Sequence, residues 1–241
     1  MDALIYTAMS GAERALRAQQ VHANNLANME TAGFRADLEL ATSSDVSGYG
    51  YDTRHMSQLQ ANALTLREGA VRGTGRDLDV AVSGKGMLAV QFQNGEAYTR
   101  AGSLDIGPEG ALSVNGRPVL GDGGPIVLPE HSSVSIAEDG TISILAQGQT
   151  EMQVVDRLKL VSAEASVLTK NTAGLIVPRT GEALAVDESI RVRGGYLEGS
   201  NVSAVEEMVA TMSLNREFEI QMRLYKSADS MAEAGNRLVR E

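Results

Sequence analysis

Two helix-forming segments at the ends of the chain, separated by a glycine-rich middle with strand patterning, constrain the fold most. The N-terminal segment, from Asp2 to about Asn28, lacks proline, and its mainly apolar residues recur at alternating steps of four and three, which is typical of a helix seam. These residues are Ile5, Met9, Ala12, Leu16, Gln19, Ala23 and Leu26. Because one chain of this layout cannot readily bury so much apolar helix surface, the pattern predicts assembly with other chains.

The C-terminal segment, from about residue 200, predicts a second long helix. Ser203 and Glu206 have the spacing of a capping box, and Glu207 adds negative charge at the positive end of the helix dipole. The apolar residues of this segment form two offset stripes, one with Ile220, Leu224, Met231 and Leu238, the other with Leu214, Phe218, Tyr225, Ala228 and Ala232. A helix with two apolar stripes requires two neighbours.

The middle of the chain changes to a period of two from Asp77, where Leu78, Val80 and Val82 alternate with other residues. Further strands are expected at 87–92, 97–100, 104–106, 112–114, 126–128, 134–136, 141–144 and 157–161, with a turn at Asn94-Gly95. Short strands at this spacing favour a compact all-β module over a wound α/β sheet. The fold class is therefore α+β.

Four segments follow from these patterns. The N-terminal helix occupies 1–40, the β module 77–199 and the C-terminal helix 200–241. The intervening stretch 41–76 is polar and rich in serine and glycine, which predicts an extended connecting arm, mostly without a core of its own.

The composition argues against several functional classes. Lys and Arg total 21 against 31 Asp and Glu, and the resulting net charge of −10 opposes the basic footprint of a duplex nucleic-acid binder. The chain has no cysteine, which removes thiolate metal sites. No apolar run reaches the roughly 20 residues of a membrane span, and Asp2 stands where a secretory signal carries a basic residue. We therefore expect no nucleic-acid partner, no membrane insertion and no cleaved signal peptide.

Three small motifs invite a ligand interpretation, and each has a simpler structural one. The stretch 84–89 matches the Gly-x-Gly-x-x-Ala pattern, but the next residues predict a strand instead of a phosphate-binding helix, which favours a β-turn. Asp77 and Asp79 favour the outward polar face of a strand over a cation site. The histidines lie in separate segments without metal-ligand spacing: His22, His55 and His131. The sequence predicts no catalytic residue, no metal site and no cofactor.

The asparagine run near the end of the first helix is more informative. Asparagine competes with the backbone for hydrogen bonds and is a poor residue inside a helix. Asn24, Asn25 and Asn28 fall within one and a half turns. Either the helix end frays there, or these amides bond across packed helices and fix their register, which is the favoured interpretation.

Several motifs follow one another along nearly the whole chain. Met9-Ser10-Gly11 precedes the Ala-Asn-Asn-Leu-Ala-Asn run at 23–28 and the Thr-Ala-Gly-Phe run at 31–34, and three further motifs lie at 77–84, 98–102 and 195–202. Together they resemble the signatures of the bacterial flagellar rod and hook family of axial proteins. Chain length, the Met9-Ser10-Gly11 opening and the helix start at 205–209 are most similar to the proximal rod members.

The resemblance implies terminal helices packed as a coiled coil in the inner wall of a tube, with the β module outside. It implies a structural subunit of the proximal rod, which assembles helically with its own copies and with neighbouring proximal and distal rod subunits to transmit torque from motor to hook. It also implies passage through the flagellar type III export apparatus without cleavage, and a place in the basal-body rod across the periplasm. No enzymatic activity is implied.

The subunit interface is expected at Ile5, Met9, Leu16, Ala23, Asn24, Asn25, Leu26, Asn28, Val209, Leu214, Phe218, Ile220, Leu224, Tyr225, Met231 and Leu238. One alternative is a distal rod protein of the same family, which usually has a longer arm after the first helix. A more distant alternative is a β-rich carbohydrate-binding or carbohydrate-processing module with dimerising helices. That module requires paired acids or stacked aromatic rings, and aromatic residues make up only 4% of this chain.

Overall fold

The computed structural model describes residues 2–45, 55–93 and 95–240, which fall into two compact units. The first unit contains Met1–Ala27, Asp37–Asn62 and Ser203–Glu241, and the second contains Asn28–Ala36 and Ala63–Val202. Both ends of the chain therefore belong to one unit, and most of the middle belongs to the other.

The described residues form two long helices, α1 (Asp2–Ala27) and α2 (Ala204–Arg240), nineteen strands and a short 3-10 helix at Ala165–Val167. The strands are β1 (Asp37–Asp45), β2 (His55–Leu64), β3 (Val71–Gly73), β4 (Val80–Val82), β5 (Gly86–Phe92), β6 (Gly95–Thr99), β7 (Leu104–Ile106), β8 (Leu112–Val114), β9 (Arg117–Pro118), β10 (Leu120–Gly121), β11 (Gly124–Pro125), β12 (His131–Ile136), β13 (Thr141–Ala146), β14 (Gln153–Arg157), β15 (Leu160–Ser162), β16 (Leu168–Lys170), β17 (Ile176–Pro178), β18 (Val192–Gly194) and β19 (Tyr196–Glu198). The predicted α+β class is confirmed.

The two helices end and begin where local sequence signals indicate. After α1, the N–H of Thr31 donates to the Asn28 carbonyl at 3.2 Å. Gly33 then takes a φ of +69°, the left-handed conformation that glycine adopts most readily. At the start of α2, the N–H of Glu206 donates to the Ser203 hydroxyl at 3.4 Å, as a serine N-cap requires.

In the first unit, α1 and α2 lie side by side and run antiparallel. Arg14 forms an ion pair with Glu217, and one turn earlier on α1 Gly11 lies against Gln221, one turn further along α2. The buried side of α1 is built from small residues, namely Ala8, Ala12, Ala15 and Ala18. Alanine lets two helix backbones approach closely. The packed face is therefore an alanine face, and it lies beside the stripe that contains Met9 and Leu16.

Strands β1 and β2 form a two-stranded sheet where the sequence indicates an extended arm. Leu64, at the end of β2, is buried in a hydrophobic cluster with Met87 and Ala89, and Leu66 packs against the same cluster. Residues 46–54 of the expected arm lie outside the described residues, and the predicted segment boundaries stay predictions.

Strands β3 to β19 belong to the second unit and form small antiparallel sheets. The largest has five strands in the order β15-β5-β6-β17-β16, and two have three strands each, β7-β8-β9 and β12-β13-β14. Three pairs complete the described sheets of this unit: β10-β11, β18-β4 and β19-β3. In β13 the burial alternates, so that Ile142 and Ile144 face the core while Thr141 and Ser143 do not. This is the period of two that the sequence predicts.

Strand β5 separates two hydrophobic cores. Leu88 and Val90 point into the larger core, and Met87 and Ala89 point into the smaller one. Successive side chains of a strand point to opposite faces, so one strand serves both cores. All five of its first residues, Gly86–Val90, are buried.

Two predicted strands differ from the structure. The stretch 126–128 makes one isolated bridge, between Val127 and Ala111, and is not a strand. The stretch 157–161 is divided between β14 and β15 because the N–H of Leu158 donates to the Gly140 carbonyl and that of Lys159 to the Leu120 carbonyl. The predicted turn at Asn94 lies outside the described residues.

Candidate functional site

Both terminal helices carry large apolar side chains that nothing in the described chain covers. They are between 44% and 71% exposed, and they comprise Tyr6, Met9 and Leu16 on α1 and Val205, Met208, Val209, Met212, Ile220, Leu224 and Met231 on α2. Uncovered apolar surface of this extent, repeated along a helix, marks an interaction surface in a folded protein. We call these two sets the outer stripes of α1 and α2.

The predicted interface residues fall into three groups by burial. Asn25 is buried, and Ile5, Leu26, Asn28, Leu214 and Phe218 are half-buried. The exposed group comprises Met9, Leu16, Ala23, Asn24, Val209, Ile220, Leu224, Tyr225 and Met231. The side chain of Leu238 lies outside the described residues. The role of all these residues between subunits stays a prediction.

An apolar cleft of about 320 Å³ opens between α1 and α2. Ala8, Met9 and Ala12 line it from α1, and Met222 and Tyr225 line it from α2 beside Gln221. The cleft exists because alanines on α1 leave space next to larger side chains on α2. It continues the outer stripe of α1 at Met9.

A polar junction joins α1, α2 and β1 within the first unit. The Asn25 amide nitrogen donates to the Asp37 carbonyl at 3.0 Å and to Glu207 Oε1 at 3.2 Å, and its oxygen accepts from the Asp37 N–H at 2.9 Å. His22 Nδ1 contacts the other oxygen of Glu207. A buried amide with these partners fixes the register of the two helices, because a shift of one residue leaves its polar atoms unpaired.

The second unit contains a buried charge cluster. Glu198 is 1% exposed, and its Oε1 lies 2.7 Å from Arg35 Nη2, while its Oε2 accepts from Arg100 Nε at 2.8 Å. Arg100 also donates to the carbonyls of Val82 and Gly84, at 2.8 and 2.7 Å. Burial lowers the pKa of Arg100, and the neighbouring Arg35 lowers it further, while Glu198 acts in the opposite direction. The cluster thus contains two arginines and one carboxylate.

This cluster is where three of the sequence motifs meet. Arg35 follows the Thr-Ala-Gly-Phe run, Arg100 belongs to the motif at 98–102, and Glu198 belongs to the motif at 195–202. The Gly33 N–H donates to the Glu198 carbonyl at 2.8 Å, and a Cβ on Gly33 would lie 2.2 Å from the Ala101 nitrogen. Only glycine permits that approach. The motifs therefore encode a packed junction of three distant segments.

Sequence reasoning missed the role of Arg35, Arg100 and Glu198, which it treated only as members of motifs. The available signal was a charged residue within, or directly after, each of three motifs that are otherwise mainly apolar or glycine-rich. It also treated Glu207 as compensation for the helix dipole, whereas this residue bonds to Asn25 and His22 across the helices.

The other candidate motifs have structural explanations. Gly84 and Lys85 form a turn and β5 follows at Gly86, so the expected turn is confirmed and no helix starts there. The expectation that Asp79 lies on an outward face was wrong: it is buried, and its polar groups have partners, since its carboxylate pairs with Arg76 and its carbonyl accepts the Gly195 N–H. Among the described residues, no group of histidines and acids has the arrangement of a metal site. No described helix is long and apolar enough to span a membrane.

Three family models match successive parts of the chain. They are the flagella basal body rod protein at residues 5–35, the flagellar hook protein FlgE/F/G D1 domain at 81–144 and the flagellar basal body rod FlgEFG protein C-terminal region at 193–238. The first and last cover most of α1 and α2. The second lies within the β-rich unit.

Full-length relatives agree with these matches. The chain is 42% identical to the flagellar basal-body rod protein FlgF of Salmonella typhimurium and 41% identical to FlgF of Escherichia coli, over 99% of both chains in each case. It is 31% identical to the flagellar basal-body rod protein FlgG of Borreliella burgdorferi, over 98% of both chains. With its whole length matched in this way, the chain belongs to the flagellar basal-body rod and hook protein family.

Proposed function

We propose that this protein is a structural subunit of the proximal rod of the flagellar basal body. The observation that carries this proposal is the pair of uncovered outer stripes on α1 and α2, in a chain related along its whole length to two proteins named FlgF. Covering each large side chain of a stripe contributes about 1.5–3 kcal/mol. Assembly with its own copies and with neighbouring rod subunits supplies that cover.

The helix pair acts as a two-stranded antiparallel coiled coil in this proposal. One set of buried or half-buried positions of α2 recurs every seven residues, at Glu207, Leu214, Gln221 and Ala228. A repeat of seven is the spacing that keeps a seam facing a partner along a supercoil. In the rod, such pairs line the inner wall and the β module lies outside.

Torque transmission follows from stiffness. A shaft that turns under load needs subunits that do not change shape, and the buried junctions around Asn25 and Glu198 hold their segments in one arrangement. We assign no enzymatic activity.

Assembly in the rod sets the route and the place of the protein. The subunit passes through the flagellar type III export apparatus without cleavage and is incorporated where the rod crosses the periplasm. The absence of cysteine suits a chain that travels through an oxidising space, because no disulfide can mispair.

The proximal position is favoured over the distal one by similarity. The relatives at 42% and 41% identity are named FlgF, the proximal rod protein that the sequence motifs most resemble. Electron microscopy of purified basal bodies with a labelled subunit distinguishes the proximal from the distal assignment, because it measures the copy number and position of the chain. A label confined to the distal part of the rod would contradict the proximal assignment.

The substitution Leu224→Asp tests the structural role. Leu224 is 44% exposed, so the monomer accommodates a carboxylate there, whereas a covered outer stripe does not. A strain whose only copy is Leu224→Asp should be non-motile and lack completed rods. Val154→Asp, at a 70% exposed position on β14, is the matched control and should swim. Normal motility of the Leu224→Asp strain would refute the proposal. Export of the variant is verified separately, so that loss of motility reports on assembly and not on export.

A further inference from the structure

The two outer stripes are rich in methionine. Four of their ten residues are methionines, each about half exposed: Met9, Met208, Met212 and Met231. The chain has no cysteine, whose thiolate would otherwise compete for an oxidant. An oxidant that reaches the free protein therefore meets exposed thioethers on the surface that we propose to be covered in the rod.

Met208 and Met212 form a pair near the start of α2. They are four residues apart, so they lie one above the other on the same side of the helix. Val205 and Val209 flank them and are 71% and 58% exposed. The two thioethers therefore belong to one continuous uncovered apolar patch, and an oxidant in solution can reach both.

A peroxide oxidises a thioether in one two-electron step. With hydrogen peroxide, a sulfur lone pair attacks one peroxide oxygen, and the O–O bond breaks as the S–O bond forms. The other oxygen takes up a proton and leaves as water, so that sulfur is oxidised and the peroxide is reduced. The product, methionine sulfoxide, keeps the unbranched shape of the side chain but carries a polar oxygen where the thioether was apolar.

We propose that the methionines of the outer stripes are an oxidation site, and that peroxides acting there prevent the free subunit from assembling. This inference rests on the proposed function, because assembly is what covers the stripes. Covering a sulfoxide in apolar surroundings removes its hydration without supplying a hydrogen-bond donor, which opposes association. The modification is reversible, since methionine sulfoxide reductases restore the thioether.

Met87 provides an internal reference for the chemistry, because it is also a methionine and is fully buried in β5. Purified full-length protein is treated with hydrogen peroxide, quenched and digested, and the oxygen gained by each methionine is followed by mass spectrometry. The four stripe methionines should react at least about tenfold faster than Met87. In urea this difference should disappear, because unfolding exposes Met87. Equal rates at Met87 and at the stripes of the folded protein would overturn the oxidation site.

Substitutions test the consequence for assembly. Glutamine is unbranched and polar like the sulfoxide, whereas leucine is apolar and close to methionine in volume. A strain with Met208→Gln and Met212→Gln should carry at least about tenfold fewer completed rods than the wild type, and a strain with Met208→Leu and Met212→Leu should swim normally. The matched control is Met152→Gln with Val154→Gln, which changes two exposed apolar residues of the β-rich unit and should also swim.

The outcomes separate the oxidation site from the proposed function. If the glutamine strain swims as well as the leucine strain, polarity at these positions does not prevent assembly and the inference is wrong, while the assignment as a rod subunit stands. If both strains fail to swim, any change at these positions is harmful, and the inference is again wrong. The proposed function is judged by Leu224→Asp, which alters no methionine: normal motility of that strain refutes it whatever the pattern of oxidation.

Discussion

The substitution Glu198→Gln measures how strongly the β-rich unit depends on its buried charge cluster. Glu198 lies 2.7 Å from Arg35 and 2.8 Å from Arg100, and it accepts the Gly69 N–H at 2.8 Å. Glutamine keeps the shape of the side chain and can still accept the Gly69 N–H. It removes the negative charge between two arginines that are each 2% exposed.

The expected loss in the free energy of unfolding is about 3–5 kcal/mol, which is typical when one partner of a buried ion pair is removed. The loss arises because both buried guanidinium groups lose the carboxylate that lies between them, and only the exposed Glu68 is known to act on one of them, Arg100, as a further negative charge. Arg35 already has two buried nitrogens, Nε and Nη1, without a hydrogen-bond partner. Adding Arg35→Met to Glu198→Gln removes one stranded charge and should recover part of the loss.

The surface pair Lys85–Glu164 provides the matched control, because Glu164→Gln is the same chemical change. Its atoms lie 2.8 Å apart, but its side chains are 57% and 72% exposed. Water screens such a pair, so the expected loss is about 0–1 kcal/mol. The distance is nearly the same as at Glu198, whereas Glu164 is exposed and pairs with one lysine instead of two arginines.

Urea unfolding of the full chain, followed by far-ultraviolet circular dichroism and tyrosine fluorescence, measures both changes. With a urea dependence of about 2–3 kcal/mol per M, the midpoint of Glu198→Gln should fall by roughly 1–2 M. The midpoint of Glu164→Gln should stay close to that of the wild type. A Glu198→Gln protein within about 1 kcal/mol of this control would show that the cluster does not hold the unit together.

Three further predictions concern other parts of the chain. Gly102→Ala places a Cβ 1.6 Å from the Val80 carbonyl oxygen, so the free energy of unfolding, measured in urea, should fall by at least about 2 kcal/mol. Gly95→Ala meets open space and should be tolerated. Hydrogen bonds from Thr141 hold the pKa of Asp139 below its usual 3.8. The wild type should therefore be more stable than Asp139→Asn above about pH 4, and this difference should vanish as acid protonates the carboxyl. In dilute protein, limited proteolysis should cut the uncovered terminal helices before the β-rich unit, and equal resistance would contradict the role of the outer stripes.

Periodicity predicted the elements well because it reflects local geometry. The strand at 87–92 and both terminal helices follow from apolar spacing alone, and the helix start follows from the Ser203 cap. Apolar spacing did not predict the two cores on either side of β5. A continuous apolar run does not reveal which side chains share a face with distant strands. That assignment depends on pairing with β6 and β15.

The packed face of α1 could not be read from hydrophobicity. The sequence analysis gave most weight to large apolar residues such as Met9 and Leu16, whereas the buried side consists of alanines. Alanine contributes little apolar area, and its advantage appears only when a second helix comes close. The charge cluster escaped prediction for a related reason: Arg35 and Glu198 are far apart in sequence, and no local pattern connects them.

The placement of polar and apolar residues in this chain suits a subunit more than a solitary protein. Inside each unit, polar side chains are buried with specific partners, Asn25 in the first and Glu198 in the second. On the terminal helices, large apolar side chains are left outside. Polar contacts lose much of their energy when geometry changes, so they hold each unit in one arrangement. Apolar contacts are non-directional and supply association energy once copies meet. The residues that fix the shape of the subunit are therefore distinct from those that drive its assembly.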